Sequence, residues 1–163
     1  MAKIPTSTMF AAQSSDVVLA GIADLLVSAQ LLGVAQAALA LAVSYAKLRE
    51  QFGRPIGSFQ AIKHHCADMA VRVELLSAQL DMAAIAARDG RDDATFQIAA
   101  LRRLAPKAAL ANARRAIQIH GGIGFSAEAD PHQLLKHAHM LRQLGGYGEL
   151  MALTAPLTPN ERP

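Results

Sequence analysis

The sequence predicts an all-α protein, an up-down four-helix bundle, and three observations carry that expectation. Four apolar-periodic segments are separated by Gly and Pro stops, and no stretch alternates with the period of a strand. Hydrophobic residues make up 52% of the 163 residues while aromatics make up 4%, with no Trp. The core must therefore be built from Ala, Leu, Ile, Val and Met, which suits close-packed helices better than a β-sandwich. At this length one domain buries a core without staples, and the single Cys excludes a disulfide framework or a Cys-rich zinc site and is compatible with a reducing cytoplasm.

Residues 1–15 read as an N-terminal arm, with Ser14 or Ser15 as the cap of a first helix and Asp16 favourably placed at its positive end. Met1–Phe10 contains Pro5 and several hydroxyls, which is not the pattern of a secretory leader. The first helix is expected to run from Val17 to about Glu50, interrupted only by Gly21 and Gly33, the latter a candidate for close helix approach. Its stretch Leu25–Ala46 is uncharged and long enough to raise the question of a membrane span. Gln30, Gln36, Ser28 and Ser44 lie within it and no aromatic belt flanks it, so a central buried helix is the better reading. It is apolar on more faces than three partner helices can cover, which points to association with another chain.

Gly53, Pro55 and Gly57 break that helix, and Ser58 is the expected N-cap of a second, Phe59 to about Asp89. Phe59, Ile62, Cys66, Met69, Val73, Leu76 and Leu80 step by three and four, the seam of an antiparallel bundle, while Lys63, Arg72 and Asp81 fall off it toward solvent. Gly90 ends this helix, and Asp92 or Asp93 can cap a third, Ala94 to His120, with a kink expected at Pro106. Arg102, Arg103, Lys107, Arg114 and Arg115 read as its solvated face. Gly121, Gly122 and Gly124 stop it. Asp130 and Pro131 open a fourth helix that reaches about Leu144, where Gly145 and Gly146 end it; the bundle is expected to span 16–153, with a turn near Leu150–Leu153 and a loose tail over 154–163.

The charge of +3 is scattered, with neither the basic stripe nor the aromatics that nucleic-acid binding requires. Of the six histidines, His137 and His139 point to different faces and His64 and His65 are adjacent, so neither pair converges on a metal. Cys66 sits on the apolar seam, where packing is its expected role. Gly122-Ile123-Gly124-Phe125-Ser126-Ala127 fits a loose GxGxxA pattern, but it follows a helix rather than a strand, which rules out a βαβ fingerprint. What remains is a glycine helix stop or a nest of backbone N–H groups that meets a pyrophosphate.

Two motifs go further. Tyr45–Met69, Y-A-x-x-R-x-Q-F-G-R-P-I-x-x-F-Q-A-I-K-H-x-x-A-D-M, and Ala116–Phe125, A-I-Q-I-H-G-G-I-G-F, resemble the C-terminal helical domain of the acyl-CoA dehydrogenases, and the resemblance covers roughly Asp16 to Leu153. It implies a bundle packed into a dimer of dimers, with FAD bound across a subunit interface. Arg49, Gln51 and Phe52 would reach the adenosine and pyrophosphate of a neighbour's flavin, and Gln118, Gly121 and Gly122 would line the same dinucleotide. In that family a glutamate takes the α-proton of an acyl thioester while the β-hydrogen leaves as hydride to the flavin. Two departures follow. The family's N-terminal helical and middle β-domains are not in these 163 residues. No catalytic residue can be assigned, because the family's glutamate position falls at Gly145, and its alternative position falls near Ala23, with Asp24 beside it as the one carboxylate. The resemblance implies FAD and a cytoplasmic oligomer, either of this chain or with a related chain, working on acyl-CoA through the complete enzyme. Alone, the chain is expected to be inactive. The rival reading is a helical interaction module that has lost flavin binding.

Overall fold

The computed structural model describes residues 6–144, with side chains from Leu19 onward. Four helices form the bundle: α1 (Thr6–Leu48), α2 (Gln60–Arg88), α3 (Ala94–His120) and α4 (Pro131–Leu144). Between α1 and α2 lies a miniature hairpin, β1 (Glu50–Gln51) antiparallel to β2 (Arg54–Pro55), followed by a 3₁₀ turn at Ile56–Ser58. A second 3₁₀ segment, Gly121–Phe125, follows α3. The expectation of four antiparallel helices with short connections holds. The expected turn near Leu150–Leu153 and the tail over 154–163 lie outside the described residues, as do Gly145 and Gly146.

The interior is assembled from small residues. Ala35, Ala38, Ala42, Ala83, Ala86, Ala105, Ala109, Ala113, Ala116 and Ala138 are all fully buried, so the helices approach on methyl groups, with Leu31, Leu76, Leu101 and Leu141 filling between them. α1 and α3 each touch all three other helices, whereas α2 and α4 barely meet and flank that central pair. On α2 the predicted seam is correct: Met69, Val73 and Leu76 are buried and Ile62, Cys66 and Leu80 pack at its margin. Burial pushes the Cys66 thiol up, as suits a packing residue rather than a nucleophile.

Asn112 on α3 is the one fully buried amide among the described residues. Its Nδ2 donates to the Ala35 carbonyl of α1 at 3.2 Å and to the Met69 carbonyl of α2 at 3.1 Å, while its Oδ1 accepts from Arg72 Nη1 at 3.4 Å. One side chain thus pins three helices in register. Arg72, expected to stay wet, is instead half-buried by this contact.

Other local expectations are corrected. α1 runs as helix through Ser14 and Ser15 from Thr6, so neither starts it. Phe59, not Ser58, is the N-cap of α2, with no side-chain bond, because the 3₁₀ turn carries the chain one residue further; the Phe59 carbonyl receives the N–H groups of Ile62 and Lys63 at 3.1 Å. Asp93 is the N-cap of α3, but its carboxylate turns to Arg91 and Gln97 rather than to the backbone. By contrast, α3 continues through Pro106 as one helix rather than two, as expected. Gly33 faces open space, and the close approach on α1 is at Gly21, where an added Cβ would sit 3.4 Å from Ile98 Cδ1. The basic face of α3 is only partly solvated: Arg102 pairs with Asp24 of α1 at 2.9 Å and Arg115 reaches His65 Nε2 of α2 at 3.3 Å.

Candidate functional site

The residues singled out in the sequence stand at one end of the bundle, on two short segments. The first is the hairpin. Its two-residue loop, Phe52-Gly53, has positive φ at both positions, 54° and 74°, the pairing that a tight turn with primed geometry requires. Asn-Gly is the usual solution there; Phe in the left-handed region costs about 1–2 kcal/mol. The ring nevertheless stands 92% exposed, so the strain holds an aromatic face out into solvent instead of burying it. Beneath it, Phe59 meets Phe52 edge-on at 6.1 Å and carries the Arg54 guanidinium 4.2 Å above its own face. Gln51 is exposed and donates to the adjacent Glu50 carbonyl at 2.7 Å. Arg49 is exposed and takes part in no ion pair among the described residues. Gly57 seats the hairpin on α1, because a Cβ there would lie 2.9 Å from the Ala46 carbonyl oxygen.

The second segment is the glycine turn, and its three glycines do three different things. Gly121, at φ 65° and ψ −142°, occupies backbone space that only glycine enters readily, and its N–H closes α3 on the Gln118 and Ile117 carbonyls. It is therefore not a free donor, which narrows the expected anion nest. Gly124 is buried against α3, where a Cβ would come 2.7 Å from Ile117 O and 3.0 Å from His120 Cβ. Gly122 is exposed with nothing near it, as is the side chain of Gln118.

The two segments are joined by a pair that sequence reasoning passed over. Tyr45, in the last turn of α1, stacks on His120, the last residue of α3, with ring centroids 4.2 Å apart and planes inclined by 23°. The signal available in the sequence is the place of His120 in one motif and that of Tyr45 in the other. No group of three or more His, Cys, Asp or Glu side chains suited to a metal occurs among the described residues.

Chemically, the end offers a cation, an amide, an exposed ring and bare backbone. That set fits the phosphates and base of a dinucleotide, and it contains nothing that would enclose a flavin ring. Residues 23–155 match the family model for the C-terminal domain of acyl-CoA dehydrogenases. The chain belongs to the acyl-CoA dehydrogenase family. It is 44% identical over 143 residues to the acyl-CoA dehydrogenase FadE34 of Mycobacterium tuberculosis, covering 84% of this chain and 20% of that protein. Its fold matches butyryl-CoA dehydrogenase from Megasphaera elsdenii with a TM-score of 0.72 at 36% identity, over 76% of this chain and 32% of that one. It also matches a chain of the ChsE4–ChsE5 complex from Mycobacterium tuberculosis with a TM-score of 0.74 at 34% identity, over 80% of this chain and 35% of that one. The chain thus corresponds to the C-terminal part of an acyl-CoA dehydrogenase-like flavoprotein, between a fifth and two fifths of the length of such relatives.

The positions at which the resemblance implies a catalytic base differ in what the structure describes of them. Gly145 lies outside the described residues, and Ala23 is exposed on α1. Asp24 is half-buried and held by Arg102 across α1 and α3. That ion pair points its carboxylate at α3, so it acts as a clamp between helices.

Proposed function

We propose that this chain supplies one wall of an FAD cleft that a second subunit completes. Arg49, Gln51, Phe52, Gln118, Gly121 and Gly122 would contact the adenosine and pyrophosphate end of the cofactor. The observation that carries this reading is that two segments far apart in sequence converge at one end of the bundle through the Tyr45–His120 stack, and both present exposed groups there. A strained aromatic residue left in solvent is otherwise without physical reason. The flavin, when bound, accepts the hydride of α,β-dehydrogenation of an acyl-CoA thioester; this chain's part is to hold its far end.

Exposed apolar side chains support assembly. Leu19, Ile22 and Leu26 on α1 and Val71, Leu75, Met82 and Ile85 on α2 stand 43% or more exposed. Leu19–Leu48 is long and apolar enough to cross a membrane, yet its inner stripe from Leu31 to Ala46 is buried against the other helices. We read the outer side as a protein interface, with the same chain or a related one, in the cytoplasm. The isolated chain would then hold FAD weakly and be inactive, with Gly145 at the base position.

The test is flavin content per chain, read from absorbance of the protein purified alone and co-purified with its partner. The expected result is substoichiometric flavin alone, stoichiometric flavin in the assembly, and about tenfold weaker retention in the assembly for Arg49→Gln, the loss of one charge-assisted contact. An assembly that carries no flavin at this chain's end would favour an interaction module; flavin retention unchanged in Arg49→Gln and Phe52→Ala would remove the assigned contacts.

A further inference from the structure

The two halves of the site lie on different helices, and a dinucleotide that bridges them requires a fixed spacing. We propose that Tyr45 and His120 are positioning residues, a stacked joint that sets the separation between the hairpin and the glycine turn; the function of the joint rests on the flavin reading above. Each ring is fixed to its own segment. His120 is only 9% exposed, and its Nδ1 lies 2.7 Å from the Ala116 carbonyl; a carbonyl only accepts, so Nδ1 carries the proton and the ring cannot turn freely. Gly121 follows it directly, and Gly124 is seated against its Cβ. On the other side, the Tyr45 carbonyl accepts the Arg49 N–H at 2.8 Å, and the Arg49 carbonyl accepts the Ile56 N–H at 2.8 Å, which closes the base of the hairpin. The stacked rings therefore belong to residues that are each hydrogen-bonded into their own segment. Around the stack lies an apolar cluster that includes Ala42, Ala46, Ala116 and Ile119, with Ile56 packed at its margin. Apolar packing is non-directional, whereas two stacked faces fix both distance and tilt.

Spin labels at exposed positions read the separation directly. Cysteines placed at Glu50 on the hairpin and at Phe125 on the glycine turn, both exposed and neither among the assigned flavin contacts, would be labelled in a Cys66→Ala background of the assembled protein. Electron–electron distance measurements are expected to give one narrow distribution, broadened in Tyr45→Ala and His120→Ala and narrow again in Tyr45→Phe and His120→Phe, which keep a ring. Leu101→Ala, a core truncation on α3, serves as the stability control and should leave the distribution narrow. In the unlabelled assembly, His120→Ala should retain flavin roughly tenfold less well, with His120→Phe close to wild type. A distribution indifferent to His120→Ala, or broadened equally by Leu101→Ala, would overturn the joint. Broadening without loss of flavin would overturn its positioning role. A wild-type assembly without flavin would instead overturn the flavin reading, and the distance measurement would still decide whether the joint exists.

Discussion

The middle of the bundle and its hairpin end follow opposite rules. Around Asn112 every buried polar side-chain atom among the described residues has a partner, and the backbone is regular helix. At the end, Phe52 and Gly121 occupy rare backbone regions, Gly57 and Gly124 leave no room for a methyl group, and Arg49, Gln51 and Gln118 face solvent. The first region is arranged for stability, whereas the second keeps rare backbone conformations beside polar groups that face solvent. Their difference teaches that the bundle interior is a scaffold, and that the site depends on it without sharing its chemistry.

The contrast can be broken by substitution. Leu101→Ala, at a side chain with no exposure, should lower stability by about 3 kcal/mol in thermal or denaturant unfolding, with flavin retention of the assembly unchanged below the transition. Asn112→Ala removes three hydrogen bonds at the meeting of three helices and should lower stability by about 2 kcal/mol. Gly124→Ala pushes a methyl group against Ile117 O; here about 1–3 kcal/mol of destabilisation should come with loss of flavin, since the glycine turn moves. A stable Gly124→Ala protein with full flavin would show that the turn is not tied to α3. Phe52→Asn should change the sign: relief of left-handed strain is expected to raise stability by up to about 1 kcal/mol while flavin retention falls. If that variant is less stable than wild type, the hairpin is not strained and the comparison fails.

The smallest effect is a pH dependence away from both regions. The Gln97 amide, and then Arg91, hold the Asp93 carboxyl below its ordinary value of 3.8. A carboxyl lowered in the folded state contributes stability above its unfolded value, and that contribution is lost as pH falls through the folded one. Asp93→Asn should therefore be slightly less stable than wild type at neutral pH, and the two melting curves should converge below about pH 3.8. Solvent screening at this exposed position keeps the difference small.

Helix periodicity made the seam of α2 and the span of α3 legible, because three- and four-residue spacing maps directly onto a buried face. Capping was read less well: Ser58 is a good capping residue by type, but the 3₁₀ turn set by Pro55 and Gly57 decides where α2 starts. The two-residue strands escaped notice because they are too short to show alternation. The family motifs single out Arg49, Phe52 and Gly121, which residue type alone does not. Nothing local to the sequence brings Tyr45 to His120 or Arg102 to Asp24, because those contacts depend on how α1 lies against α3.

The alanine-lined interior also limits what this part of an enzyme could evolve to do. Helices separated by methyl groups leave no room to hollow out a chamber, and enlarging any of these side chains would wedge the bundle apart. Variation that keeps the fold is then concentrated on its outer surfaces.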